Sequence, residues 1–423
     1  MLSRYWRQLL NYLKRNEILL ILCIEGMLML MGMGQVSPIL PLYAQQFGIN
    51  MVLVGLIITA FAFASVVVDI PAGRIAERLG RRPTLITGCL VMAAGAVGCA
   101  LAPGYWLFLA CRLIQGAGYA LYTTTAMIML TDISTVRNRG NNMGWYMGST
   151  WIGFGLGPIS GGFIGQYFGL PAVFFVYAFF CMLAAIWAFL RLPETRPFHT
   201  GQASKETDDQ TPATGAKLGI KHLLVNPNFM LICLVAFCIF FTNNGSRYQI
   251  LPLFAHDRLG LTPGEIGVAV TVIAAVNIIV LLIIGRVSDK VGRKPTVLPG
   301  CILLAASLVM WMLSTNYQFL LLSCAVFGIG LGITGPTPAA YVADILSGQN
   351  SSGGMSIFRA ACDLGFVIGP VFQGWLADMN GFDFPLIFNA ILLLAAALVF
   401  QFAAKEHPSF AARNNKKPIN AKL

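Results

Sequence analysis

Apolar residues in this chain gather into long runs, not into the alternation of strands or the one-sided spacing of soluble helices. The runs centre on residues 18–41, 51–72, 84–103, 106–130, 142–166 and 171–191. After a polar stretch they resume at 228–253, 263–285, 295–314, 317–342, 353–377 and 384–404. Runs of roughly 18 to 26 residues match the ~30 Å hydrocarbon core of a bilayer. The pattern predicts an all-α polytopic membrane protein with twelve transmembrane helices. The first run follows the basic stretch RYWRQLLNYLKRN, as a signal peptide would. It is long, lacks a small-residue cleavage site and precedes eleven more runs, so it reads as the first span. Ahead of it, Leu2, Trp6, Leu9, Leu10 and Leu13 lie at helical spacing opposite Arg4, Arg7, Gln8 and Asn11. That predicts an interfacial amphipathic helix.

Composition agrees. Of 423 residues, 57% are hydrophobic and only 11% charged, against about 25% charged in soluble domains; the mean hydropathy is +0.73. Soluble enzymes, secreted disulfide scaffolds and disordered chains are excluded. The ten cysteines lie singly in apolar runs, with no CxxC and no Cys/His cluster, so neither a metal site nor a disulfide framework is supported. The net charge of +11 is explained by topology. With both termini cytoplasmic, all of the 28 Lys and Arg except Arg112, Arg247, Arg258 and Arg359 fall on inner segments. This is a positive-inside bias. It orients the chain against the lipid bilayer, where anionic lipid attracts it, and it is no nucleic-acid footprint.

Five regions follow: a cytoplasmic amphipathic tail at 1–16, a six-helix half at 17–192, a cytoplasmic linker at 193–226, a second six-helix half at 227–404 and a basic tail at 405–423. The halves are copies of one another. A shift of 212 lays GRIAERLGRRPT (Gly73–Thr84) on GRVSDKVGRKPT (Gly285–Thr296). The same shift places Asp132 on Asp344, Met143 on Met355, Gly153 on Gly365, Gly157-Pro158 on Gly369-Pro370 and Gly162 on Gly374. Such a register signals internal duplication. Six helices separate the copies, so they are parallel repeats about an axis along the membrane normal, an arrangement of transporters that rock one half against the other.

These loops resemble the cytoplasmic signature of the major facilitator superfamily, and the resemblance covers essentially the whole chain. Arg112-Leu-Ile-Gln115-Gly116, the stretch Gly153 to Gly162 and MGMGQVSPILPLYA in the first helix further resemble its twelve-helix drug:proton antiporter branch. The resemblance implies that Asp69, Arg78 and Arg81 form a charge latch between the halves, joined in the repeat by Asp289 and Arg293, which correspond to Glu77 and Arg81. Glu77 stands where the family usually has Asp. From the residues themselves, Gly73, Gly80 and Pro83 predict a tight connection. Gly153, Gly157, Gly161 and Gly165, every fourth residue, give a stripe for close helix approach, with Gly162 beside it and a kink at Pro158. In the family that stripe is the contact between halves that seals an exporter against leak.

Charges inside a membrane are functional by default. The candidates are Glu25, Arg112, Asp363 and Arg359, with Arg247 nearer the outer end of helix 7. Arg359 and Asp363 are i, i+4 and share a helix face. Glu25 has no basic residue one turn away, so it is expected to carry the proton, with Arg112 modulating it through water. Gln35, Gln115, Tyr119, Tyr122, Asn243, Asn244, Tyr248 and Gln249 lie on helices that line the central cavity in the superfamily. Thr123, Thr124 and Thr125 read as backbone-bonded helix residues. The expected function is secondary active transport: a proton-coupled exporter of small amphipathic or drug-like molecules in the cytoplasmic membrane. It works by alternating access as a monomer, with the proton gradient as energy source and no cofactor, metal or catalytic residue. The alternative is import of a small organic anion, suited by three arginines against two carboxylates.

Overall fold

The computed structural model describes residues 17–135, 138–195, 226–346 and 351–404. The amphipathic segment at 2–13, most of the linker and the basic tail lie outside them, as do the side chains of Arg286, Asp289, Lys290, Val291, Ser351 and Ser352. The described residues form the twelve expected helices. In the first half these are α1 (Glu17–Gln45), α2 (Met51–Leu79), α3 (Arg81–Ala100), α4 (Tyr105–Asp132), α5 (Arg139–Phe168) and α6 (Leu170–Arg191). In the second they are α7 (Pro227–Leu259), α8 (Pro263–Val291), α9 (Arg293–Met312), α10 (Tyr317–Ile345), α11 (Ser351–Asn380) and α12 (Asp383–Ala403). Ten of them contain a stretch long and apolar enough to cross a membrane. The other two, α4 and α5, have the length, but Arg112, Gln115 and four threonines in α4 and the many glycines in α5 dilute their hydropathy.

Three helices outrun their expected ends by six residues or more. α2 continues to Leu79, α7 to Leu259 and α8 to Val291. All three stop at a glycine with positive φ, Gly80 at +104°, Gly260 at +65° and Gly292 at +112°, a conformation that costs other residues a steric penalty. Asn50 and Asn316 cap helix starts, their side chains accepting from the N–H groups of Leu53 and Phe319.

Contacts divide the chain into two units. The first holds α1–α6 together with residues 255–271; the second holds the remainder of α7–α12. Within the first, α1 packs along α5 and α6, α2 along α4, and α3 along α4 and α6. Within the second, α7 packs along α11 and α12, and α9 along α10 and α12.

The duplication holds at the level of individual contacts. Gly116 lets α4 approach Phe61 and Ala64 of α2, and Gly328, shifted by 212, lets α10 approach Ile273 and Val276 of α8. Gly118 against Met92 becomes Gly330 against Leu304, and Gly88 against Tyr122 becomes Gly300 against Thr334. One stretch breaks the register. Gly153, Gly157 and Gly161 of α5 face Met27, Met31 and Gln35 of α1, whereas Gly365, Gly369 and Gln373 of α11 face Phe237, Phe241 and Gly245 of α7. There the shift on α7 is 210. By the helix ends it is 212 again, since Gly48 and Gly260 match in φ. Between these points α7 therefore holds two more residues than α1. It takes them up as a π-helical segment, Asn243–Ile250, whose wider turn closes with Leu251 N–H donating to the Ser246 carbonyl.

Candidate functional site

Polar side chains inside these helices are concentrated in three places. The first surrounds Glu25 on α1, which is fully buried, both carboxylate oxygens having no hydrogen-bond partner among the described residues. Gly26 beside it lets α1 close against Tyr146 and Thr150 of α5. Cys89, Tyr122 and Tyr146 stand within electrostatic reach. No arginine pairs with it among the described residues. Arg112 on α4, 7% exposed, instead donates from Nη1 to Gln115 Oε1 one turn on and lies over the Phe61 ring, 4.7 Å from its centroid. Arg112 thus has a neutral acceptor and an aromatic face in place of a counter-ion.

The second cluster is built on the π-helical segment of α7. Ser246 donates to Gln373 Oε1 at 2.9 Å, Asn389 Nδ2 donates to Ser246 Oγ at 2.8 Å, and Gln373 Nε2 donates to the Phe241 carbonyl at 2.8 Å. Asn244 Nδ2 donates to the Phe366 carbonyl. Gly245 admits the Gln373 side chain. Arg247 lies twelve residues before the end of α7 at Leu259 and twenty after its start at Pro227, nearer the outer end. It is 4% exposed, and its guanidinium lies 5.0 Å from the Tyr248 ring centroid.

The third lies at the junction of α2 and α3. Arg81 Nε meets Asp132 Oδ2 at 3.2 Å with both side chains buried, and Thr195 Oγ1 donates to the same oxygen at 3.0 Å. Glu194 sets both oxygens on the start of α3, accepting from Arg81 N–H at 3.0 Å and Arg82 N–H at 3.1 Å. Gly80 leaves room for that carboxylate, since a Cβ there would lie 2.7 Å from Glu194 Oε2. The second unit repeats the ion pair as Arg293 with Asp344.

A family model described as Major Facilitator Superfamily matches residues 22–264 and 248–421, nearly the whole chain. The chain belongs to this superfamily. Members of the superfamily are transporters, so this is a transporter and not an enzyme. Multidrug resistance protein 2 of Bacillus subtilis (strain 168) is 25% identical over 390 residues, covering 90% of this chain and 94% of that protein. The quinolone resistance protein NorA of Staphylococcus aureus is 22% identical over 395 residues, 93% and 97% of the two chains. Among solved structures, an inward-facing bacterial homologue of the human lysosomal transporter Spinster shares the fold with a TM-score of 0.79. It is 17% identical over 94% of this chain and 98% of that one.

Several expected site residues of this superfamily member stand elsewhere than the sequence implied. Gly153, Gly157 and Gly161 each face α1 backbone within the first unit. Gly162, one position around the helix, faces Pro263, Gly264 and Gly267 in the segment that packs with that unit. Gly73 makes no tight connection: α2 continues through it and a Cβ would meet nothing within 4 Å. Arg81 is engaged by Asp132, while Arg78 is exposed and Asp69, also exposed, accepts the Thr124 hydroxyl at 2.8 Å. Thr124 therefore bonds a side chain on α2, whereas Thr123 bonds the Tyr119 carbonyl as expected. Arg359, expected deep, is exposed and Asp363 is half-buried, whereas Glu25 is fully buried. Of the expected cavity residues, Gln35 Nε2 donates to Ser160 Oγ at 3.0 Å, Tyr119 leans on Phe61, and Tyr122 is buried.

Proposed function

We propose that this transporter is a proton-coupled exporter of small amphipathic molecules, working by alternating access in the cytoplasmic membrane with both termini inside. The observation that carries the reading is Glu25, a carboxylate wholly out of water with neither oxygen hydrogen-bonded among the described residues. An ion in such a place costs several kcal/mol unless it is compensated. It takes its proton from water on one side of the membrane before the site closes, and gives it up on the other side when a conformational change brings water or a cation there. That dependence couples proton movement to conformation. Arg112 is the cation placed to take part, held in waiting by Gln115 and Phe61. The names of the relatives, multidrug and quinolone resistance proteins, support drug-like substrates and the outward direction. Asp69 and Arg78, both exposed at the inner end of α2, remain the proposed latch residues.

Purified protein in proteoliposomes, driven by an imposed pH gradient, tests this. Glu25→Gln mimics the permanently protonated form and is expected to abolish gradient-driven accumulation while leaving substrate exchange without a gradient. If Glu25→Gln sustains wild-type accumulation and Asp363→Asn does not, the proton belongs to the second unit. Flux in the direction of the proton rather than against it would overturn export in favour of uptake.

A further inference from the structure

We infer that Arg247 is an anion-recognition residue, taking the carboxylate of a transported organic molecule on one edge of its guanidinium. The inference rests on the transporter reading but on neither its direction nor its proton coupling.

The argument starts from the two extra residues in α7. A π-helical stretch gives up good backbone hydrogen-bond geometry and recurs at functional sites. Arg247 lies on this stretch and is buried, and its Nε and Nη2 have no partner among the described residues. Those two nitrogens lie on the same edge of the guanidinium, the edge whose parallel N–H bonds fit the two oxygens of one carboxylate. The Tyr248 ring lies under the guanidinium, its centroid 5.0 Å from the guanidinium carbon, and no hydrogen bond among the described residues occupies that edge.

The first unit shows what is missing. Under the shift of 212, Arg112 corresponds to Cys324 and Gln115 to Phe327. Arg247 lies within electrostatic reach of that same Cys324. Both units therefore hold a guanidinium at this level, one from α4 and one from α7. In the first, Gln115 supplies the acceptor; in the second, Phe327 stands at that place and stacks on Trp311, with ring centroids 4.7 Å apart. Arg247 thus has no ion pair among the described residues, and the position that corresponds to Gln115 carries an aromatic ring in place of an amide oxygen. An aryl or alkyl carboxylate supplies what both features lack: a two-oxygen acceptor and an apolar body. A single arginine matches one such charge better than a phosphate dianion.

Calorimetric titration of the purified full-length protein tests this, with 4-phenylbutyrate and its primary amide as probes and tetraphenylphosphonium as an amphipathic cation. The wild type is expected to bind the carboxylate at least about tenfold more tightly than the amide, the gain of charge-assisted hydrogen bonds. Arg247→Gln is expected to erase that preference. Arg247→Lys, which keeps the charge but not the fork, is expected to retain an intermediate one. Size-exclusion profiles establish that each variant is folded, and Arg247→Lys decides the matter if Arg247→Gln does not purify. Equal affinity of the wild type for acid and amide, or an undiminished preference in both variants, overturns the inference and leaves the transporter reading standing. Displacement of 4-phenylbutyrate by chloride or phosphatidylglycerol at equal concentration also overturns it, by assigning the edge to an inorganic ion or a lipid headgroup. Failure of the folded wild type to bind any of the three probes counts against the amphipathic-substrate reading itself.

Discussion

Replacing Gly157 with alanine separates two roles that helix glycines play. In α5 a Cβ at Gly157 would lie 2.6 Å from Gly34 Cα, 2.6 Å from the Met31 oxygen and 2.7 Å from Gln35 N. All three are backbone atoms of α1, so no side chain can swing aside. Ordinary contact begins near 3.4 Å, and α1 and α5 must part by roughly 0.8 Å to reach it. Overpacking of this kind costs about 1–3 kcal/mol. Gly148 lies nine residues earlier on the same helix and has nothing within 4 Å of its would-be Cβ. Both substitutions gain the same ~1 kcal/mol or less of helix propensity, which cancels when they are compared. Gly157→Ala is therefore expected to be less stable than Gly148→Ala by about 1–3 kcal/mol. Thermal unfolding of both variants in one detergent, followed by intrinsic fluorescence and by loss of monodispersity, reads the difference. Equal melting temperatures would refute the reasoning, because they would mean that α1 and α5 are not in backbone contact.

Two further predictions concern the α2–α3 junction. A double-mutant cycle on Arg81 and Asp132 is expected to show a coupling larger than the same cycle on Arg293 and Asp344, since side-chain exposures are 7% and 3% in the first pair and 20% and 29% in the second. Exposed pairs couple by about 0.2–1 kcal/mol, so a first-unit coupling inside that range fails the prediction. Glu194→Ala removes a carboxylate from two N–H groups at the start of α3 and is expected to cost about 1–2 kcal/mol. Glu194→Gln is expected to recover part of that in chemical denaturation, and an unchanged midpoint for the alanine variant would show that the cap is not made in solution.

The spans, the parallel duplication and the family were legible in the sequence because each is written in a periodicity or a motif that needs no partner to be read. The ion pairs were half legible. Arg81 and Arg293, and Asp132 and Asp344, coincide under one shift, yet nothing in the sequence joins Arg81 to Asp132 rather than to Asp69. Only the packing of α3 against α4 does so. The role of Gly73 was misread because the apolar run ends at 72 while the helix does not: seven more residues with polar outer faces continue it to Leu79. The direction of the α5 stripe was likewise beyond reach, since spacing tells which residues share a face but not which helix they meet. Glu194 looked like the start of a linker because its partners are backbone N–H groups, which leave no mark in a sequence.

The two-residue excess in α7 was hidden for a different reason, and that reason bears on how the halves came to differ. The shift of 212 runs without a gap from the α2–α3 junction through α5, so the excess leaves no gap there. It emerges only when the contacts Met27–Gly153 and Phe237–Gly365 are compared with the helix ends at Gly48 and Gly260. At Gly88, Gly116 and Gly118 the copies keep a glycine at the same close approach. They diverge where function is proposed. α1 brings Glu25, and its counterpart under the shift of 210 is Val235; α7 brings Arg247, and its counterpart under the same shift is Ser37. Even the shared polar contact is reversed, with Gln35 opposite Gly161 in one unit and Gly245 opposite Gln373 in the other. Close-packed scaffolds tolerate little change in volume, so α2–α4 and α8–α10 retain their matching glycines. A helix lined by adaptable polar contacts tolerates more, and α1 and α7 are where the duplicated chain has placed a lone carboxylate in one half and a lone guanidinium in the other.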